Sequence, residues 1–370
     1  MSPSSAPNRL VYLAFGSETY HQEAFFSIVS ALEKLRSTAS STISIHIFSD
    51  RKDFYKALPV TVHSLNKESL KIWSQPTGYY FRVKHALLRE VLKECETAVL
   101  IDTDTFFRAS PQALFDRVQA GSLLCNAIGS VFGHDRNAEP YCLLAQKLQA
   151  RGLADDDMPL LNSGVIGLKK TDIGILDDSL AFMDKFYAEA STVYTLEELM
   201  LAVSARQRGV RLAECTDVIH HYWSRKRLFR AKACAWYSKH QQEPLSASAL
   251  ADVSQVSGVL PRPPVQWRWL YKVRTLALQA EQRQFVRELL YGCYRYPNEF
   301  DNACGPVWWE KAVENTLERF THLSSWHIEQ WFRKKSFNNL LGKNKANEVW
   351  EYLHKNKLIM KSCKEDLSGD

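Results

Sequence analysis

Residues Ala98-Val99-Leu100-Ile101 are small or branched and apolar, and the run stops abruptly at Asp102-Thr103-Asp104. Such a run reads as a buried strand, and open α/β sheets bind ligands at the C-terminal ends of their strands. In extended backbone alternate residues point the same way, which puts Asp102 and Asp104 on one side. Two carboxylates brought together repel each other unless a cation lies between them. A divalent metal suits that place, and a diphosphate suits such a metal.

The chain around this strand alternates in period. Residues 10–15 and 42–48 read as strands, the first followed by Gly16-Ser17 and the second closing on Ser49-Asp50. Between them Phe25, Ile28, Val29, Leu32 and Leu35 predict a helix over about 22–36. A short strand at 60–65 and a helix at about 79–94 lead into the Asp102 strand. After it, 122–128 and 159–168 read as strands, the latter interrupted by Asn162-Ser163-Gly164. The spans 172–190 and 195–208 read as helices, and 211–222 is strand-like. The rhythm argues for a mainly parallel sheet covered by helices. Beyond about 230 the pattern changes. Residues 241–264 contain Ser, Ala and Pro with little periodicity, and Pro261-Arg262-Pro263-Pro264 looks like a loop or linker. Residues 267–294, 307–320, 324–335 and 345–356 read as helices with aromatic faces.

Charge separates the same two regions. Before position 223 there are 23 basic and 26 acidic residues, and from 223 onward 24 and 15. Only Trp73 precedes position 223; the other nine tryptophans lie at or after it. We therefore expect two units, 1–230 and 231–370. A chain that is 45% hydrophobic and 12% aromatic is globular, not disordered. No apolar run reaches the roughly eighteen residues of a membrane span. The start lacks a basic-then-apolar leader, so a cytoplasmic location is expected. No two of the eight cysteines form a CxxC pair, which speaks against a zinc ribbon and predicts reduced, mostly buried thiols.

Four further stretches accompany the acidic couplet. Ala14-Phe15-Gly16-Ser17 follows the first strand. Tyr79-Tyr80-Phe81-Arg82-Val83-Lys84 opens the helix before the couplet; two residues apart, Arg82 and Lys84 cannot share a helix face. Leu161-Asn162-Ser163-Gly164 sits in a strand, where a glycine lets the backbone approach a ligand. Val218-Ile219-His220-His221-Tyr222-Trp223 carries two histidines that a strand would point to opposite faces.

Taken in this order with Asp102-Thr103-Asp104, these stretches resemble the GT-A glycosyltransferases, in particular the group containing glycogenin and bacterial lipopolysaccharide galactosyltransferases. The resemblance implies a Rossmann-like, mainly parallel sheet with helices on both faces and a helical C-terminal region. It implies a metal-dependent hexosyl transfer, retaining in that group, from a nucleotide-diphosphate sugar (a UDP-sugar favoured) to a hydroxyl of a glycan or lipid-linked acceptor, in bacterial surface polysaccharide assembly. Mn²⁺ or Mg²⁺ would be held by Asp104, Asp102 and a histidine, His221 favoured over His220 because an aromatic follows it directly. Ala14, Phe15, Gly16 and Asp50 would meet the base and ribose, with Asp102 and Thr103 beside the donor. Arg82 or Lys84, and Lys226 in Ser224-Arg225-Lys226-Arg227, would face the diphosphate. Asn162, Ser163 and Gly164 would border the donor sugar. Glu197 and Glu198, with Asn162, would face the reacting centre; the group usually has Asp or Gln where this Glu-Glu pair stands.

In the basic region Trp326, Trp331 and Phe332 beside Arg333-Lys334-Lys335 suit an anionic membrane surface, such as the inner face of the cell membrane. Acidic residues among these helices and the lack of a reading motif speak against nucleic acid. Two alternatives stand beside this reading. Asp102-Thr103-Asp104 partly matches the first motif of haloacid-dehalogenase-like phosphatases, although that motif belongs on a first strand and is followed by a smaller residue than Phe106. A catalytically inactive GT-A domain binding glycans or nucleotides is the other.

Overall fold

The computed structural model describes residues 8–36, 42–135, 142–190, 193 and 195–359. They divide into two compact units, Met1–Ser224 with His240–Val253, and Arg225–Lys239 with Ser254–Asp370.

The first unit begins β1 (Asn8–Ala14), α1 (Glu18–Leu35), β2 (Ile43–Ser49), β3 (Thr61–Ser64), α2 (Lys67–Ser74), α3 (Arg82–Leu92), β4 (Thr97–Ile101) and β5 (Thr105–Phe107). It continues α4 (Gln112–Arg117), β6 (Ser122–Val131), α5 (Phe132–Asp135), α6 (Cys142–Ala150), β7 (Pro159–Lys169), α7 (Gly174–Phe186), α8 (Leu196–Gln207), β8 (Arg211–Glu214) and β9 (Ile219–His221). Seven strands form one sheet in the order β3-β2-β1-β4-β7-β6-β8. Four neighbouring pairs are parallel, and β7 alone runs against the rest. The sheet is thus mainly parallel, as expected for the GT-A class. β5 and β9 leave it and pair with each other.

Strand alternation sorts the core onto both faces. Val11, Leu100 and Ile166 pack with Leu87, Leu88, Ile175 and Leu201 of α3, α7 and α8. On the other face Tyr12 shares a 3.1 Å hydrogen bond with Ser27 of α1, whose Phe25, Phe26, Ile28 and Val29 are buried. Each such apolar side chain contributes on the order of 1.5–3 kcal/mol when buried.

Local chemistry explains where the elements differ from the sequence expectations. α1 starts at Glu18, earlier than the expected 22, because the Ser17 hydroxyl caps it by accepting from Thr19 N–H. α2 was not expected; Asn66 caps it by accepting from Ser69 N–H at 2.8 Å. The strand-like span 211–222 is two strands in two different sheets.

The helices that follow are α9 (Lys226–His240), α10 (Ala247–Val253), α11 (Val265–Arg274), α12 (Ala280–Cys293), α13 (Glu299–Asn302), α14 (Gly305–Arg319), α15 (Ser325–Phe332), α16 (Lys335–Leu341) and α17 (Lys343–Lys355). α10 lies within the stretch 241–264 that shows little periodicity, and the expected helix at 267–294 is broken in two between Arg274 and Ala280. The second unit buries an aromatic core in which Phe285 meets Trp331 and Phe332 edge-on at 5.3 and 6.2 Å. This corrects one expectation. Trp331 and Phe332, each 6% exposed, are core residues and not a membrane-facing pair, whereas Trp326 is exposed. Lys232, fully buried, is paired with Asp301 at 2.7 Å.

Among the described residues no disulfide is formed; Cys95, Cys125, Cys215 and Cys304 are buried, and Cys142, Cys234 and Cys293 partly so. Cys363 lies outside the described residues. Among the described residues no helix is long and apolar enough to cross a membrane.

Candidate metal centre

Strand pairing builds the site. Ile101 at the end of β4 pairs with Val165 of β7, and Asp102 N–H donates to Gly164 O at 2.9 Å. There the chain turns out of the sheet, so Asp102 and Asp104 do not converge by strand alternation as expected. The turn itself does it. Thr105 Oγ1 donates to Asp102 O at 2.9 Å, and Tyr222 N–H donates to Asp104 O at 3.1 Å. Thr105 is paired with His221 across the β5–β9 ribbon, which delivers the late histidine to the couplet. Asp102, Asp104 and His221 each offer an atom within 4.8 Å of the others. His221 Nε2 lies 3.5 Å from Asp104 Oδ1 and 4.0 Å from Asp102 Oδ2. Two carboxylates and an imidazole fit a divalent ion of the Mn²⁺ type, for which mixed oxygen and nitrogen donors are suited.

The imidazole is set for that role from behind. Asn162 Nδ2 donates to Glu198 Oε1 at 3.1 Å, and Asn162 Oδ1 lies 2.8 Å from His221 Nδ1. A carboxylate only accepts, so the amide nitrogen faces Glu198 and the amide oxygen faces the ring. His221 Nδ1 therefore carries a proton, which leaves Nε2, the nitrogen toward the carboxylates, as the one able to bind a metal. Ser163 N–H also donates to Glu198 Oε1, at 2.7 Å, and Gly164 N–H to Asn162 Oδ1, at 3.2 Å. Burial pushes the Glu198 carboxyl above its ordinary range, with Ser163 N–H and Lys84 opposing. A Cβ on Gly164 would overlap the His221 ring. The missing side chain at Gly164 makes room for the histidine.

Lys84 is buried and bridges the halves of the site. Its Nζ lies 2.9 Å from Asp102 Oδ1 and donates to Ser163 Oγ and O at 3.2 and 3.3 Å. Burial works against its ammonium, but Asp102 and Glu197 outweigh it and hold the pKa above the ordinary lysine value. Arg82 points elsewhere: its guanidinium grips Asp184 at 2.7 and 2.9 Å and donates to Trp73 O at 2.7 Å. This is the divergence that two-residue spacing on a helix requires. Glu197, 2% exposed, accepts from the Tyr79 hydroxyl, and burial pushes its carboxyl up to about 7.

No family model and no curated protein matches the chain. Among solved structures it is similar to the galactosyltransferase LgtC in complex with donor and acceptor sugar analogues, at 15% identity and a TM-score of 0.41, covering 70% of this chain and 99% of that one. An active-site mutant of LgtC gives 15% and 0.40 over the same shares. The apo bifunctional glycosyltransferase WbbM gives 12% and 0.39, over 58% of this chain and 40% of that one. At these values the likeness assigns neither a reaction nor a substrate.

β1 and β2 end at the same sheet edge as β4, and this places the remaining N-terminal candidates. Asp50 is committed to the protein: Oδ2 accepts from Gly16 N–H at 3.0 Å, and Oδ1 lies 3.1 Å from Nε2 of the buried His21. It shapes the Ala14-Phe15-Gly16 loop, where Gly16 has φ +86°. Phe15 stacks against Tyr80 at 6.3 Å. Thr103 lies between the two carboxylates, half-buried. His220 turns to the opposite face of β9 and meets Arg108 at 3.0 Å and the Phe106 ring. Lys226 opens α9 in the second unit. The sequence reading missed Tyr79 as the partner of Glu197 and Asn162 as the group that orients His221. Neither contact has a local signal, because the partners are 118 and 59 residues apart.

Proposed function

We propose that the protein is a metal-dependent glycosyltransferase that moves a hexose from a nucleotide-diphosphate sugar, a UDP-sugar by preference, to a hydroxyl of a glycan or lipid-linked acceptor. The observation that carries this reading is the convergence of Asp102, Asp104 and His221 beside the Lys84 ammonium at the C-terminal edge of a mainly parallel sheet. The phosphatase alternative wants its carboxylates on the first strand, and here they follow β4.

Asp102, Asp104 and His221 would hold Mn²⁺ or Mg²⁺, the imidazole favouring Mn²⁺. When bound, the ion supplies positive charge against the departing diphosphate. Lys84 adds a fixed cation in the same place and keeps Asp102 oriented. Asn162 keeps His221 Nε2 toward the carboxylates, and Glu198 fixes Asn162. The Ala14-Phe15-Gly16 loop, held by Asp50, would receive the base and ribose. Ser163, Gly164 and Asn162 would border the sugar. Glu197 and Glu198 are each committed through an oxygen to protein donors, which favours a retaining outcome over a free carboxylate base. We assign this chemistry to residues 1–230 and acceptor or membrane contact to 231–370. Such a reaction fits the building of bacterial surface polysaccharide on the cytoplasmic side of a membrane.

The test is a panel of nucleotide sugars with a glycan acceptor extract, read by Mn²⁺-dependent release of nucleoside diphosphate and by the anomeric configuration of the product. Release that needs Mn²⁺ and disappears in Asp104→Ala supports the reading. Phosphate release from simple monoesters, or release unaffected by Asp104→Ala, contradicts it.

A further inference from the structure

Most large apolar side chains of the second unit are inside it, but one helix is an exception. On α11 and the turn after it, Val265, Trp269, Leu270, Val273 and Leu276 are 56, 62, 43, 59 and 61% exposed, and Trp267 is 40% exposed. Val265, Trp269 and Val273 follow at four-residue spacing and form one stripe, with Leu270 beside it. Tyr271, on the other side of the helix, is the buried anchor, and Thr275 is buried at its end. Several contiguous aromatic and aliphatic side chains left in water mark a surface made for a partner.

Charge says which partner. Between Asp252 and Glu281 the chain carries Arg262, Arg268, Lys272 and Arg274 and no acidic residue. Lys272 and Arg274 flank the apolar stripe. Lys272 Nζ lies 5.0 Å from the centre of the Trp269 ring, and Arg274 donates to Leu340 O at 2.9 Å. A second copy of this chain on the same face would set cation against cation. A single-stranded nucleic acid would use the tryptophans and the cations but leave Val265, Leu270, Val273 and Leu276 in water. Only a surface that is apolar within and anionic at its rim satisfies both sets of groups. Tryptophans at the interface level, aliphatics below them and flanking cations are the pattern of a helix lying in a bilayer surface.

We propose that α11 and the turn through Leu276 form a docking face for an anionic lipid bilayer. This places membrane contact on residues 265–276 and not on Trp331 and Phe332. It stands on exposure and charge alone, so it does not depend on the sugar-transfer reading.

The test is co-sedimentation of the full-length protein with vesicles of phosphatidylcholine and phosphatidylglycerol, and with phosphatidylcholine alone. We expect binding to the anionic vesicles that weakens with salt. Trp269→Ser with Val273→Ser should reduce it at least about tenfold, and Lys272→Glu by roughly fivefold or more. The substituted residues are exposed, so circular dichroism and Tm should match the parent. No binding to anionic vesicles, equal binding to neutral ones, or binding that survives the double variant overturns the proposal. So does loss, in the double variant, of a concentration-dependent dimer or of single-stranded RNA binding in place of vesicle binding. Transfer activity is measured separately, because vesicle binding and sugar transfer can each fail without the other.

Discussion

Asp104 is the carboxylate closest to His221 Nε2 and its side chain is buried with it, so in the proposed site its loss would remove one of the two carboxylate ligands. Asp104→Ala is expected to lower transfer at least about 100-fold while leaving the chain folded, measured by nucleoside diphosphate release and circular dichroism. Asn162 acts one bond further out. Asn162→Ala frees the His221 tautomer without touching a ligand, and Mn²⁺ affinity should fall about 10- to 100-fold, read by calorimetry. Unchanged affinity would mean that the ring is held by something other than the amide. Gly164→Ala should cost as much or more, because the new methyl group occupies the place of the ring. Asp102, Asp104 and the paired histidines were legible in the sequence, because a strand ending in carboxylates is a local pattern. The reason they meet was not legible: alternation would have brought the carboxylates together along a strand, whereas a turn and the β5–β9 pairing do so. The role of Gly164 was equally hidden, since His221 is 57 positions away in a chain read one window at a time.

Among the elements, strongly periodic segments such as α1, α3, β4 and β7 are where the sequence puts them, because each carries an apolar face the sheet must bury. The short capped helix α2 and the basic helix α9 went unread; α9 buries Leu228, Phe229, Ala233 and Trp236, but basic residues interrupt that face in the sequence. α3 also carries a titration that the fold must bear. His85 on α3 is fully buried, bonded to Ser179 of α7 at 3.0 Å, and burial pushes its imidazole down to about 3. The unfolded chain protonates this group near its ordinary 6.5 and the folded one does not. Stability linked to His85 is therefore fully present above pH 6.5 and is lost as pH falls toward 3, by about 2 kcal/mol at pH 5. His85→Gln keeps a partner for Ser179 and cannot titrate. Its Tm should fall less than that of the parent between pH 7 and pH 5; parallel losses would show that His85 does not carry the difference.

For the whole molecule, one unit carries the seven-stranded sheet and the other a helical core rich in tryptophan. What composition cannot give is which tryptophans are inside. Trp331 is core and Trp269 is surface, although both sit beside basic residues. A ligand that binds only the folded first unit raises its stability by mass action, so Mn²⁺ with UDP should raise Tm above either alone. The most direct measurement is calorimetry of UDP binding with Mn²⁺ and with chelator, on the parent and on His221→Ala. We predict that Mn²⁺ strengthens UDP binding at least about tenfold in the parent and not in the variant. Equal UDP binding with and without the ion, or a gain that persists in His221→Ala, would contradict a metal gripped by Asp102, Asp104 and His221.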